Sequence, residues 1–358
     1  MVWSLDTMRD CFEGAIPSVI ATCAPDGTPT VSYLSQVHFV DDAHVALSFQ
    51  FFNKTRENVL ANPRAAVMVV DPSTGARFRL AARYVRTETE GAVFESMKAK
   101  LAGIASHTGM SGVFRLLGAD VYEVLAIESV PGPTLPAPPR RNLLPLVRAV
   151  AQRIAAATDL AGLFDEALLA LERHFGIRYA MLLMADGRAS RLYSVASRGY
   201  AESGVGAEIP FGSGVIGVAA RECTPIRIMH RTAEWGYSRA IRESVARGGM
   251  GDLLETEIPL PGLPESRSQL AVPITPANCL TGVLFVESTE DRRFGYEDED
   301  ALVTVAAMLG AAIRNLQESA EASDEPSPGA GASPVAGTPV TIRHYALSRS
   351  ICASSSSL

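Results

Sequence analysis

Residues 131–139 read Pro-Gly-Pro-Thr-Leu-Pro-Ala-Pro-Pro, five prolines in nine positions. Each proline fixes φ and removes a backbone donor, so this stretch is neither helix interior nor central strand. Proline-dense chain of this kind is a semi-rigid spacer. The 358 residues are therefore cut in two before their elements are considered. Residues 1–130 form one unit and residues 140–318 a second, each within the usual size range of a domain. Residues 319–339 are rich in Ala, Ser, Gly, Pro and acid, and read as a disordered tether. Val340 to Tyr345 then alternates like the start of a strand. Residues 319–358 are thus either a floppy tail or the lead into a further module.

With 47% hydrophobic residues, both units can bury sizeable cores. The balance of 32 Lys and Arg against 39 Asp and Glu, net −7, argues against a nucleic-acid partner, which needs a basic surface. No run approaches the roughly 18 apolar residues of a membrane-spanning helix. Asp6, Asp10 and Glu13 stand where a signal peptide needs a basic head and an apolar run. The expectation is a cytoplasmic protein without a membrane partner. The five cysteines (Cys11, Cys23, Cys223, Cys279 and Cys352) show no CxxC spacing. They read as small buried hydrophobes, and no metal site is expected.

The first unit is mostly β. Strands are expected at Ser18–Cys23 and Thr30–Val37, around the turn signal Pro25-Asp26-Gly27. Further strands are expected at Val45–Phe49, Ala65–Val70, Phe78–Thr87 and Asp120–Ile127. Helices are expected at 54–61, stopped by Asn62-Pro63, and at 90–100. Many short strands with few helices suggest a small barrel. In the second unit, Leu143, Val147, Val150 and Ile154 make one helical stripe. Leu160 to Leu171 makes another, with Thr158 as N-cap. Strands follow at 179–184, 191–197, 270–274 and 282–287, and a closing helix starts near Tyr296. Helices, then an antiparallel sheet, then a helix, define an α+β domain.

The stretch Ser48 to Asn58 carries the chemistry of the first unit. A strand there delivers polar side chains onto a helix N-terminus, where free N–H groups and the dipole favour a phosphate. Lys54 adds a point charge, Asn53 and Thr55 add hydrogen bonds, and Phe51 and Phe52 could flank a planar ring. The plainer alternative is that Asn53 caps the helix while Lys54 and Arg56 are solvated. The glycine-punctuated stretch Ser106 to Gly112 reads either as a loop closing over a ligand or as a simple connection.

Ile16 to Thr22, Asp26 to Pro29, Tyr33-Leu34-Ser35 and Asn62-Pro63-Arg64-Ala65 occur in the order found in pyridoxamine 5′-phosphate oxidase-like split barrels. Residues 8–128 resemble that family. The resemblance implies FMN at a homodimer interface, with Ser35, Gln36, Ser48, Gln50, Asn53, Lys54 and Thr55 as cofactor-binding residues. The family's Arg-rich closing segment is missing before the proline linker, and Ser32 to Gln36 replaces its Arg-x-x-x-Leu-Lys pattern. Pyridoxamine oxidation is therefore not expected.

The second unit carries Ile209-Pro-Phe-Gly-Ser-Gly-Val-Ile-Gly-Val-Ala219, Thr224 to Ile228, Leu270 to Ile274 and Leu280 to Val286. Together these resemble a GAF domain. Gly212, Gly214 and Gly217 permit a tight strand-to-helix turn, which with Phe211 would border the ligand pocket of that fold. The resemblance implies a small-molecule sensor or a dimerisation module. The Asn-Lys-Phe-Asp-Glu motif of cyclic-nucleotide relatives is replaced by Arg292-Arg293-Phe294-Gly295-Tyr296. His174 reads as a surface or capping residue. Met229 to Gly251, with several arginines, reads either as a solvated helix or as a lid over an anion.

The chain is thus expected to be an α+β protein of two domains, a split barrel followed by a GAF domain. The expected function is sensory, with FMN in the barrel, a small-molecule ligand in the GAF domain and a homodimeric assembly. The two stripes, Leu143 to Ile154 and Leu302 to Leu316, are read as a dimer seam or as the cover of their own sheet. The alternative function is a flavin-dependent oxidoreductase regulated by its GAF domain.

Overall fold

The computed structural model describes residues 3–324 except 13–15, 35, 50–52, 108–114, 138, 140, 202–203, 229–261 and 264–265. The Met229 to Gly251 segment, most of the 108–112 loop and the tail beyond 324 therefore lie outside the described residues.

A 3-10 turn, Asp6–Phe12, opens the first domain and buries Met8, Cys11 and Phe12. Seven strands follow: β1 (Ser18–Cys23), β2 (Pro29–Leu34), β3 (Val37–Phe39), β4 (His44–Phe49), β5 (Arg64–Val70), β6 (Arg77–Glu88) and β7 (Gly118–Val130). Helix α1 (Asn53–Ala61) and helix α2 (Ala92–His107) interrupt them. The sheet runs β2-β1-β5-β6-β7-β4-β3, antiparallel throughout. Leu34, on one edge strand, and Val37, on the other, enter the same core with Ile20, Val67, Leu80 and Tyr122. A flat sheet could not bring its two edges together, so the sheet is curled into a half-barrel.

That closure explains a departure from the expected strand at 30–37. β2 pairs with β1 and ends at Leu34, whereas β3 starts at Val37 and pairs with β4. The chain crosses from one edge of the sheet to the other between them, so one continuous strand is impossible. The hairpin at 25–28 forms as its residues dictate: Gly27 takes φ +89, and Asp26 Oδ1 accepts from Thr28 N at 2.9 Å. The long strands β6 and β7 carry two irregularities. Leu125 is extra between the pairs Ala81–Ala126 and Ala82–Val124, and Val85 is extra between Tyr84–Tyr122 and Arg86–Val121. Such bulges bend and twist the sheet, as closure requires.

The second domain begins with α3 (Leu144–Ala155) and α4 (Leu160–Ala170), the latter extended by a π turn at Leu171–Phe175. His174 lies in that turn, half-buried. The N-cap of α4 is Asp159 rather than Thr158: its Oδ1 accepts from Gly162 N at 2.8 Å. Strands β8 (Tyr179–Asp186), β9 (Arg191–Arg198), β10 (Glu208–Pro210), β11 (Ile226–Ile228), β12 (Ser268–Ile274) and β13 (Gly282–Ser288) form an antiparallel sheet. Its order is β10-β9-β8-β13-β12-β11. Helix α5 (Gly214–Glu222) and helix α6 (Tyr296–Asp324) complete the domain. α6 runs to Asp324, so the first six residues of the stretch expected to be a disordered tether are helical.

The two faces of this sheet are covered differently. Leu270, Val272, Ile274, Leu284 and Val286 pack under α3, α4 and α6. Met181, Leu183, Ala271, Val283 and Phe285 pack toward α5. Val147, Val150, Ile154, Leu302, Leu309 and Ile313 all belong to the first of these cores. The apolar stripes thus cover their own sheet and are not free to form a dimer seam. Cys11 is a buried thiol, but Cys223 is an exposed one, because it ends α5 at φ +49.

The domains meet at the start of α6. Ala99 of α2 is fully buried in the core around α5. Arg9 Nη1 lies 3.0 Å from Asp300, and the guanidiniums of Arg9 and Arg227 sit 4.5 and 4.2 Å from the Tyr296 ring centre. Arg227 Nε donates to Glu299 Oε2 at 2.7 Å.

Candidate functional site

β4 runs directly into α1, and the two meet a small cavity. Ile20, Leu34, Leu47, Ser48, Phe49, Thr55, Arg56, Asp120 and Tyr122 line about 20 Å³ of space, room for about one water. The described residues of one chain therefore supply a ledge at this place and do not enclose a flavin. Ser48 and Thr55, both buried, come together here. Gln36 adjoins them through the backbone, where Ser48 N donates to Gln36 O at 3.2 Å. Gln36 Oε1 and Ser48 Oγ are buried and make no hydrogen bond. A buried polar atom without a partner is costly. Thr55 Oγ1 shares a hydrogen bond of 3.0 Å with Ser32 Oγ. Lys54 is exposed and lies 3.5 Å from Glu57. Asn53 opens α1, but its side chain is outside the described part, as are Ser35, Gln50, Phe51 and Phe52.

Arg56 departs from the solvated role expected of it. Its Nη1 donates to Asp120 Oδ1 at 2.7 Å and to Thr87 Oγ1 at 3.1 Å, and its guanidinium lies 4.3 Å from the Phe49 ring centre. Tyr84 OH adds a 2.7 Å contact to Thr87. Arg56 is thus neutralised inside the barrel, and Lys54 is the cation left facing solvent at this helix end. The donor set still suits a phosphoester: a helix N-terminus, Lys54, Thr55 and the unpartnered Ser48 hydroxyl. Asp120 had a sequence signal, as a lone acid in the apolar stretch Leu116 to Tyr122, whereas Arg56 lies among charged and amide residues and had none.

In the second domain, β10 delivers the chain onto α5 through the glycine turn. Gly212 takes φ +84 and Gly214 φ +59, the left-handed region that disfavours side chains. Gly217 has an ordinary φ but no room: an added Cβ would overlap Pro210 O. Gly212 N donates to Gly217 O at 2.7 Å and Gly217 N to Ser213 O at 2.9 Å, which locks the turn. Phe211 packs against the α5-side core. Ser213 is the α5 N-cap but makes no side-chain cap bond.

The α5-side face also holds a buried acid that the sequence reading missed. Glu287 is 2% exposed and faces Tyr200, Ser266 and Gln269. Leu263 N donates to its Oε1 at 2.8 Å. Burial pushes the Glu287 carboxyl up, although hydrogen bonds from these neighbours pull the other way. The same burial, with the nearby carboxylate, pushes the Tyr200 phenol up. Among the described residues, no group of three His, Cys, Asp or Glu could hold a metal ion. No described helix is long and apolar enough to cross a membrane.

A half-barrel of antiparallel strands joined to an α+β domain with helices on both sheet faces is a two-module architecture, and each module matches a known family. A family model described as pyridoxamine 5′-phosphate oxidase matches residues 4–126, and a GAF domain model matches residues 159–313. The chain carries a pyridoxamine 5′-phosphate oxidase-like split barrel followed by a GAF domain. The GAF domain of a phosphoenolpyruvate-protein phosphotransferase from Acinetobacter is 18% identical, covering 51% of this chain and 99% of that one, with a TM-score of 0.40. The corresponding domain from Coxiella burnetii is 23% identical, covering 50% and 97%, with a TM-score of 0.39. An FMN-binding protein from Syntrophomonas wolfei subsp. wolfei is 17% identical, covering 36% and 92%, with a TM-score of 0.29. Likeness at this level speaks to the fold alone. A search of curated proteins gave no match.

Proposed function

We propose that this chain is a cytoplasmic sensory regulator whose barrel binds FMN and whose GAF domain binds a small molecule. The observation that carries the flavin reading is the buried, unpartnered Ser48 Oγ beside the α1 N-terminus, with Thr55 and Lys54 on the same ledge. Gln36, Ser48, Thr55 and Lys54 would hold the phosphate end, with Ser35, Gln50 and Asn53 completing the set proposed from the sequence. Bound FMN supplies a redox centre and visible absorbance. What this chain's residues contribute is charge at Lys54 and hydroxyl and backbone donors at Ser48, Thr55 and the helix end. A ledge rather than an enclosed pocket supports a second copy closing the site. Val31 and Tyr33, exposed on the edge strand β2, with Leu60 on α1, supply apolar surface for such a homodimer.

Fluorescence titration of the purified protein with FMN tests the reading. Lys54→Ala removes a charge-assisted contact worth about 1.5–3 kcal/mol, and affinity falls roughly 10- to 150-fold. Wild-type protein that leaves FMN fluorescence unchanged would remove the flavin from the proposal. The same preparation, given reduced nicotinamide, separates a regulator from a flavin-dependent oxidoreductase by turnover.

A further inference from the structure

The GAF sheet has a row of polar and aromatic side chains on an otherwise apolar face. In register, Glu287 on β13 pairs with Gln269 on β12 and with Tyr179 on β8. Paired residues share a face, and alternation puts this row on the side of Phe285, Ala271 and Met181, the side covered by α5. Tyr200 follows β9 and joins the row, its ring centre 5.6 Å from that of Tyr179. Glu287 and Gln269 are 2% and 3% exposed. Gln269 Nε2 reaches Glu287 Oε2 at 3.4 Å, while Gln269 Oε1 is buried with no partner.

This row is rich in acceptors, and the cation beside it, Arg178, lies over the Tyr179 ring at 5.5 Å from the ring centre and makes no ion pair with the row's carboxylate. No Lys or Arg forms an ion pair with Glu287 among the described residues, although sixteen ion pairs are formed elsewhere. A buried carboxylate is ordinarily paired with a cation, and a buried amide oxygen ordinarily accepts a hydrogen bond. Both needs are met by one ligand group that carries positive charge and N–H donors. The Tyr200 ring adds a face that attracts a cation, as the neighbouring Tyr179 ring already does for Arg178.

We propose that the α5-side face of the GAF domain binds a small organic cation, a primary ammonium or amidinium compound. Glu287 and Gln269 Oε1 accept its N–H groups, and Tyr179 and Tyr200 flank it. The proposal rests on the small-molecule reading of the GAF domain and deepens it by naming the ligand class. It assigns Glu287 a role beyond holding Leu263 N.

The test is calorimetric titration of the full chain with agmatine and putrescine, alongside adenosine monophosphate and cyclic adenosine monophosphate as anions. At least one cation is expected to bind, and Glu287→Gln, which keeps size but turns one accepting oxygen into an amide donor, weakens it about 10- to 150-fold. The melting temperature of the ligand-free variant stays close to wild type, which a purely structural role would not predict for the binding loss. Should Glu287→Gln fail to fold, Gln269→Leu serves instead, with the carboxylate left in place and a weaker loss expected. Failure of both cations to bind wild type overturns the assignment, as does equal binding by wild type and Glu287→Gln. An anion that binds both forms equally leaves the sensor reading standing and removes only the cation. The sensor reading itself falls if no small molecule binds or co-purifies.

Discussion

Glu299 and Glu287 are both buried carboxylates of the GAF domain, but their surroundings are opposite. Glu299 sits in the first turn of α6, where the barrel meets the GAF domain, and Arg227 reaches it at 2.7 Å. Burial there opposes ionisation, but Lys100, Arg227 and Arg9 outweigh it and hold the carboxyl below its ordinary value. Glu287 has a comparable depth and only neutral donors, so burial wins and its carboxyl is pushed up. The difference teaches how to read a buried charge. Where the protein supplies the counter-charge, the acid is a fastening, here between domains. Where it does not, the acid is held by neutral donors alone, here Leu263 N, Ser266, Tyr200 and Gln269.

The largest expected effect breaks the fastening. Arg227→Ala removes the hydrogen-bonded partner of Glu299, with Lys100 and Arg9 still nearby, and lowers stability by about 1.5–3 kcal/mol, read by thermal or urea unfolding. Arg227→Leu combined with Glu299→Leu costs far less, because no charge is stranded. A single variant as stable as wild type would erase the contrast with Glu287.

A smaller effect is expected at Tyr296, whose ring lies under the guanidiniums of Arg9 and Arg227. Tyr296→Leu keeps most of the apolar volume and loses about 1–2 kcal/mol of cation–π attraction. The loss shrinks when Arg227 is already absent, which a double-mutant cycle measures.

The smallest effect is the most discriminating, because the two acids respond to pH with opposite sign. Glu299, with its carboxyl held below the ordinary 4.5, contributes stability at neutral pH that is lost as pH falls through its folded value. His38, a barrel residue near Lys100 and Glu299, acts in the same direction: burial and Lys100 lower its imidazole to about 3, so acid must charge it in the unfolded chain first. Stability from that source is complete above 6.5 and declines below it. Glu287, raised above 4.5, contributes stability at low pH that is lost as pH rises through its folded value. Glu287→Gln cannot titrate, so its stability relative to wild type should climb between pH 4.5 and neutrality. A flat difference across that window would mean that Glu287 is already neutralised by another group.

Much of the fold was legible from residue order. Period-two alternation and the Asp26-Gly27 turn located the barrel strands, and the glycines at 212 and 214 occupy left-handed positions that need them. Gly217 was flagged for the right turn by a different cause, since it is the lack of space near Pro210 O, and not φ, that bars a side chain. Closure of the sheet split the 30–37 strand, a long-range demand that local pattern does not carry. The destination of the Leu143 to Ile154 stripe was likewise undecided by spacing alone, because an amphipathic helix covers a sheet and a partner equally well. Arg56 and Glu287 were missed for one reason: each looks like a surface charge until its partners, 64 residues away for Arg56 and 24 and 18 away for Glu287, are brought beside it. Glu287 did leave a trace, being in phase with Val283 and Phe285 on an apolar strand.

The two bulges of the barrel mark where its length is negotiable. Along β6, Phe78, Leu80 and Ala82 face inward, and after the extra residue Val85 the hydroxyl of Thr87 faces inward to meet Asp120. Remove Val85, and Tyr84 and Arg86 become neighbours with inward and outward directions still alternating. Leu125 on β7 has the same property: without it, Val124 remains inward, Ala126 outward and Ile127 inward. A one-residue deletion at either place therefore preserves which side chains see the core, whereas a deletion one pleat away inverts every one beyond it. Related barrels could differ in length at these two points and still hold the Arg56–Asp120 pair, with the change felt as a flatter curl instead of a rearranged interior.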